Sequence, residues 1–332
     1  MLPYPYPAPT LTIADVRSSS NHDTLRSEAA DNAIIEYKEP KVMAEIGCNH
    51  MGSVEIAKEL LTLAKEAGCD YGKFQKRCPK ELLTDAQYNA PHPNPRNSYG
   101  DTYGAHREFL ELTVEQHKEL VEHCKTIKLG YSCSVWDTTS AKGIVSLNPD
   151  LIKVGSPSNQ HWEMQKVLRD EYTGDIHIST GMTTKEEIEK IVTFWEDGKG
   201  DAKNRLVLYN CTSGYPVPFE DVCLLELRTL YNLYAHRVKH IGFSGHHLGI
   251  SVDVAAYAMG ATWNERHFTK DRTWKGTDHA ASLEPAGMSK LCRDLKATYK
   301  CMTYKATDIL PIESEQRAKL KWGMYNAEKV HK

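Results

Sequence analysis

From residue 42 onward the chain repeats one pattern: a short run of apolar and β-branched residues, then a stretch whose apolar positions recur at helical spacing. The runs fall at 42–46, 71–75, 130–134, 151–154, 176–179, 206–210, 241–244 and 263–267. After the first, Ile56, Leu60, Leu63, Ala64 and Ala67 share one helical face, with Ser53 placed to cap its start and Gly68 its end. Thr113-Val-Glu-Gln116 and Thr184-Lys-Glu-Glu187 have capping-box spacing, and the second leads into the stripe Ile188, Ile191, Val192 and Trp195. Eight βα units in one run predict an α/β fold of the closed (β/α)8 TIM-barrel type, not an open doubly wound sheet. A dinucleotide-binding sheet would want a glycine fingerprint after its first strand. Gly47-Cys-Asn-His-Met-Gly52 lacks the third glycine, and there is no P-loop.

The barrel is assigned to residues 41–300. Residues 1–40, with prolines alternating up to Pro9 and a Ser/Asn/Asp stretch after them, cannot bury enough apolar surface to offset their ordering entropy. They are expected to form a flexible arm, with a possible short strand near 33–37. Residues 301–332 are expected as a tail. Residues 76–112 form a connection far longer than usual after a barrel strand, carrying Tyr88, Tyr99, Tyr103 and Phe109 as packing material, and read as a lid.

Composition excludes several classes. Lys+Arg number 41 against 44 Asp+Glu, a formal net charge of −3, which disfavours nucleic-acid and membrane-surface binding. No apolar run approaches the roughly 20 residues that span a bilayer. The 9 cysteines are scattered without a CxxC pair, and the N-terminus has no secretory pattern, so reduced thiols in a cytoplasmic protein are expected.

Strand ends supply the chemistry of this architecture. They carry Glu45, Asn49 and His50; Lys73 and Gln75; Ser134; Lys153 and Ser156; Ser179; Asn210, Ser213 and Tyr215; Ser244, His246 and His247; Glu265 and His267. Two lysines rising from core strands must meet anions, because an unpaired buried ammonium costs several kcal/mol. The anion is either a phosphate or carboxylate ligand, or Glu45 and Glu265 across the barrel. His246 and His267, on consecutive strand ends, could share a divalent metal, with His247 a competing donor.

Ala44-Glu-Ile-Gly-Cys-Asn-His50, Lys73-Phe-Gln75, Lys153-Val-Gly-Ser156, Ser179-Thr-Gly-Met182, Cys211-Thr-Ser-Gly-Tyr-Pro216, Ile241-Gly-Phe-Ser-Gly-His246, Glu265-Arg-His-Phe-Thr269 and Asp271-Arg-Thr-Trp-Lys-Gly-Thr-Asp278 together resemble the N-acetylneuraminate (sialic acid) synthase family. The resemblance implies condensation of phosphoenolpyruvate with an N-acyl hexosamine aldehyde, N-acetylmannosamine-like, to give a nonulosonic acid and phosphate. It implies a divalent cation, Mn2+ or Mg2+, on His246 and His267. Lys73, Ser134, Lys153, Ser156, Ser179, Ser213 and Ser244 match positions around phosphoenolpyruvate. Glu45, Tyr215 and Asp278 match positions near the reacting atoms, and Asn49, Gln75 and Asp278 face the acceptor.

Ser158 and Gly245 stand where many bacterial relatives have acidic residues. Lys73-Phe-Gln-Lys76 and Thr102-Tyr-Gly-Ala-His106 look more like the animal-type synthases, whose acceptor is 6-phosphorylated; Lys76 and Lys275 could hold that phosphate or be surface lysines. The likeness covers the barrel and not the C-terminal antifreeze-like domain of relatives, which is expected to be absent, and a homodimer is possible. Two other readings are a metal-dependent aldolase of keto-acid sugars and a non-catalytic sugar-binding relic. The first is disfavoured by the paired lysines, since a lyase releasing pyruvate has no phosphate to neutralise.

Overall fold

The computed structural model describes residues 34–322. Eight strands form a closed parallel barrel in sequence order: β1 (Lys41–Gly47), β2 (Tyr71–Lys76), β3 (Gly130–Val135), β4 (Leu151–Val154), β5 (Asp175–Ser179), β6 (Leu206–Cys211), β7 (His240–Gly245) and β8 (Trp263–His267). β8 closes on β1, with Glu45 opposite His267. All eight expected runs are strands, several longer by a residue at one end or both.

Helices wrap the outside where the periodicity placed them. In Val54–Glu66 the Ser53 hydroxyl accepts from the Ile56 amide, and Ala57, Leu60, Leu61 and Ala64 are buried. Both capping boxes form, at Thr113 and Thr184. Between sheet and helices lies one large apolar cluster containing Val42, Ala44, Ile46, Phe74, Ile152, Val154, Ile178 and Phe243. A separate small cluster plugs the barrel interior: Met43, Leu151, Val207, Tyr209 and Trp263, with Tyr71 packed against it. Strand alternation therefore sends one set of residues to the helices and the next to the lumen.

The connection at 76–112 folds into short helices, Pro79–Leu82, Asp85–Asn89 and Tyr103–Leu110, plus the 3-10 turn Pro95–Asn97. Its aromatics do pack: Tyr99 and Phe109 stack at 5.0 Å with their planes 7° apart, and His92 meets His106 at 4.4 Å. Gly104 is seated so closely on the Tyr88 ring that a Cβ there would come within 2.4 Å of it.

The short strand expected near 33–37 does not form at residues 34–37, and Ala33 lies outside the described residues, as does the rest of the expected arm before it. A closed barrel offers no free edge for another strand to pair with. Instead this segment is pinned by side chains: the Tyr37 hydroxyl donates to the Ala258 carbonyl at 2.8 Å, and its ring meets Tyr257 at 6.0 Å. In the expected tail, Pro311–Leu320 is a helix with no buried residue.

Candidate active site

Above the apolar plug the lumen becomes charged. Lys73 Nζ lies 2.5 Å from Glu45 Oε2 and 3.8 Å from Glu265 Oε2, while Lys153 Nζ lies 2.6 Å from Glu265 Oε1. The order is Glu45, Lys73, Glu265, Lys153, alternating in sign, and all four are at most 5% exposed. The cross-barrel pairing left open by the sequence is thus realised. Burial works against the Lys73 ammonium, but Glu265 and then Glu45 outweigh it and raise its pKa. Lys153, with one carboxylate and Lys73 as a neighbour, is left with a lowered pKa, burial being the largest cause. Burial also opposes ionisation of Glu265, yet Lys153 and Lys73 together hold it well below the usual carboxylate range. Lys153 also sits 4.5 Å above the Tyr209 ring, whose hydroxyl is 2.8 Å from His177 Nδ1.

Hydroxyls ring this layer. Ser134 accepts from Lys73 at 2.6 Å, and Ser244 donates to Glu265 at 3.3 Å. Ser156 accepts from the Gly181 amide at 3.0 Å. A Cβ on Gly181 would reach 2.4 Å from Ser213 Oγ and 2.8 Å from Ser156 Oγ, so only glycine lets both hydroxyls approach that backbone. Buried polar atoms of the lumen that lack a hydrogen-bonding partner include Ser132 Oγ, Ser179 Oγ and His267 Nδ1, whereas Asn210, on the outward face of β6 with Leu206 and Leu208, does not enter it. Each such atom costs about 1–3 kcal/mol unless something polar meets it, and their convergence at the strand ends describes a receptor for a polar ligand.

The imidazoles of His246 and His267 lie 5.5 Å apart, centroid to centroid. His246 Nδ1 is 2.9 Å from the Thr212 carbonyl, which fixes its proton there and leaves Nε2 as a free lone pair. Burial and the neighbouring His267 push the pKa of His246 down to about 3, so it is neutral as a metal ligand must be. His267 Nδ1 is 3.9 Å from Asp278 Oδ2. Tyr215 covers the pair, its ring 4.4 Å from His246 and 5.7 Å from His267. The competing His247 points away from the lumen and is buried against Arg266 and Asp253. Among the described residues no group of three or more His, Cys, Asp or Glu is placed to hold a metal ion. Two imidazoles on adjacent strand ends are the kind of donor a divalent cation takes, and such a cation would need water or substrate to complete its ligands.

A cavity of about 290 Å³ opens over these groups, and Asn49, Gln75, Tyr215, His267, Lys275 and Asp278 all line it. Asn49 is partly committed already, donating to the Phe268 carbonyl and to Ser282 Oγ. Burial opposes ionisation of Asp278, but His267, the Thr277 hydroxyl, Arg77 and Arg107 together lower its pKa. Lys76 is not a lining residue; its ammonium turns to Glu111 at 3.2 Å and to the Arg77 carbonyl at 2.9 Å. Strand alternation explains why: 73 and 75 face the lumen, 76 does not.

The same alternation carries Arg77 into the cavity, a residue the sequence reading passed over. It lies 4.0 Å over Trp136 and 3.4 Å from Cys48 Sγ, and contacts Gln75. Arg107 reaches the cavity from the lid, braced by the Tyr103 hydroxyl at 2.9 Å. Opposite it, Lys275 sits 4.7 Å over Tyr99, whose hydroxyl donates to the Lys275 carbonyl.

A parallel eight-stranded barrel with ion-paired lysines, two imidazoles and a lidded cavity at its carboxyl end is the active-site architecture of a barrel enzyme. Residues 60–307 match the model of the NeuB family. The chain is 36% identical over 283 residues to N-acetylneuraminate-9-phosphate synthase of Drosophila melanogaster, covering 84% of this chain and 71% of the relative. It is 32% identical over 280 residues to the human enzyme of the same name, covering 84% and 76%. The crystal structure of N-acetylneuraminic acid synthetase from Leptospira borgpetersenii serovar Hardjo-bovis superposes with a TM-score of 0.70 at 23% identity, covering 86% of this chain and 93% of that one, which shows a shared fold. The chain belongs to the NeuB family of sialic acid synthases and is an enzyme of that type.

Proposed function

We infer that the protein condenses phosphoenolpyruvate with the aldehyde of an N-acylated hexosamine 6-phosphate, giving a nine-carbon 2-keto sugar acid 9-phosphate and inorganic phosphate. The observation that carries this reading is the charged layer of Lys73 and Lys153 directly below the imidazole pair, in a member of this family. Phosphate and carboxylate of the enol would exchange places with Glu45 and Glu265 as partners of the two ammoniums, with Ser134, Ser156, Ser179, Ser213 and Ser244 as hydrogen-bonding groups. The C2=C3 π pair attacks the aldehyde carbon, which makes the new C–C bond, sends the C=O π pair to the aldehyde oxygen, where it takes up a proton from solvent, and leaves a cationic C2. Water adds there, and the tetrahedral adduct expels phosphate. Glu45, freed from Lys73 by the enol and still accepting from Gln75 at 2.5 Å, would take the proton of that water. His246 and His267 would hold a divalent cation, manganese or magnesium, whose chemistry there is Lewis-acid polarisation of the aldehyde oxygen. Asp278, Gln75 and Tyr215 line the space the sugar would occupy.

Arg107 and Lys275, at the outer part of the cavity, favour a phosphorylated acceptor over the free sugar, and the names of the fly and human relatives point the same way. The test is phosphate release from phosphoenolpyruvate against a panel of free and 6-phosphorylated N-acyl hexosamines. Release must require both substrates. Release without an aldehyde would overturn the condensation, and equal use of the free sugar would overturn the phosphate assignment.

A further inference from the structure

Both imidazoles of the site belong to short stretches of chain that meet on the outer side of the barrel, at Arg266. This residue follows Glu265 and precedes His267 on β8, so its side chain leaves the lumen and enters the space under the helix Ser251–Ala258. It is 1% exposed, and the two side chains it meets, His247 and Asp253, are fully buried. Nη1 lies 2.6 Å from Asp253 Oδ2 and donates to the Gly249 carbonyl at 2.8 Å. Nη2 donates to the His247 carbonyl at 2.5 Å, and His247 Nε2 lies 3.1 Å from Nη1 and 3.2 Å from Asp253 Oδ2. One guanidinium therefore grips two carbonyls of the turn that begins directly after His246, while its own backbone leads into His267.

The turn it grips has little other freedom. Gly245 pairs with Arg266 across the sheet, and a Cβ there would strike His247 and Phe243 at 2.8 Å. The Val217 amide donates to the His246 carbonyl at 3.0 Å. A buried arginine–aspartate pair is a poor way to gain stability, because desolvation cancels most of the attraction. Arg266 Nε, His247 Nδ1 and Asp253 Oδ1 have no hydrogen-bonding partner, so the cluster is held through Nη1, Nη2 and Asp253 Oδ2 alone. Groups behind a metal-ligating histidine set how well it binds.

We propose that Arg266, anchored by Asp253, is a positioning residue that locks the His246 turn to the His267 strand and thereby sets the separation of the two imidazoles and their affinity for a divalent cation. The proposal rests on the reading of His246 and His267 as the cation site. Arg266→Lys keeps the charge opposite Asp253 but cannot span both carbonyls. Asp253→Asn keeps volume and removes the anchor.

Manganese binding to the full chain, measured by calorimetry without substrates, is the readout, alongside thermal midpoints and steady-state kinetics. Each variant is expected to bind manganese about 10–100-fold more weakly at a temperature where it remains folded. The turnover number is expected to fall more than the KM for phosphoenolpyruvate changes, with Arg266→Lys retaining more affinity than Arg266→Met. A folded Arg266→Lys or Asp253→Asn variant that melts lower yet binds manganese as the unaltered protein does would overturn the proposal and leave a purely structural pair. Failure of the underlying reading looks different: His267→Ala would then bind manganese undiminished.

Discussion

The lumen of the barrel and the lid above it solve the same problem, holding charge near a substrate, in opposite ways. In the lumen each cation is matched to a carboxylate at a fixed strand position: Lys73 to Glu45 on the paired strand, and Lys153 to Glu265 across the closed barrel. In the lid and its facing loop, Arg107 and Lys275 are long side chains laid against Tyr103 and Tyr99, with no ion-paired carboxylate among the described residues. Register tolerates no adjustment, since a slip of one residue would turn every lumen group outward. Loops can change length and residue type without that penalty. On the proposed function, the strands would carry the common chemistry and the loops the choice of acceptor.

That division can be broken in several places. The largest effect is expected from removing the cation: turnover should cease in excess EDTA and return with manganese, and undiminished activity would remove the role given to His246 and His267. Lys153→Ala should abolish measurable phosphoenolpyruvate binding in calorimetry. It should also cost roughly 3–5 kcal/mol of stability by stranding Glu265 without its nearest cation. An unchanged affinity in a folded variant would contradict the anion assignment.

Arg107→Ala tests the other half. It should raise KM for a 6-phosphorylated acceptor about 10–100-fold, the loss of about 1.5–3 kcal/mol from one charged hydrogen bond, and leave KM for phosphoenolpyruvate nearly unaltered. Equal losses for both substrates would mean that lid and lumen act as one unit.

Stability should weaken in mild acid. Burial holds His50 and His240 down at about 4 and His117 and His246 down at about 3, so all four stay neutral in the folded protein where the unfolded chain takes up protons near pH 6.5. The unfolded state binds more protons between those values, so stability present above about pH 6.5 is lost as the pH falls. Each group contributes about 1.4 kcal/mol per pH unit, read as a falling urea midpoint between pH 7 and 5. The smallest effect belongs to Lys76→Ala. With its mostly buried ammonium on Glu111 and outside the cavity, it should change acceptor KM by less than about twofold, any cost falling on stability instead.

What could be read in advance follows the same boundary. The strands were legible because each is a brief apolar run flanked by capped helices, and the lumen lysines because they interrupt such runs. Their pairing was left open, since residues as far apart as Lys153 and Glu265 meet only once the sheet closes. Arg77 continues the 73, 75 alternation but lies just past the end of the strand, beyond the apolar run that marks it in the sequence. The lid was legible as a length and a set of aromatics but not as a shape. Tyr99 meets Lys275 across 176 positions of sequence, and no local pattern reports that contact. Arg107 directly follows Thr102-Tyr-Gly-Ala-His106, and nothing in the local pattern marks it as facing a cavity.

One consequence of the alternating row Glu45, Lys73, Glu265, Lys153 concerns selection among small ions. A pair of bare ammoniums would trap chloride or free phosphate, and the released product would leave slowly. Here the resident carboxylates already occupy those positions, so a newcomer must outcompete them at two points at once, which singly charged or short anions cannot do. On the proposed function, the row would work as an internal stand-in for the enol, present whenever the enol is not, and would let the barrel empty itself after each turnover.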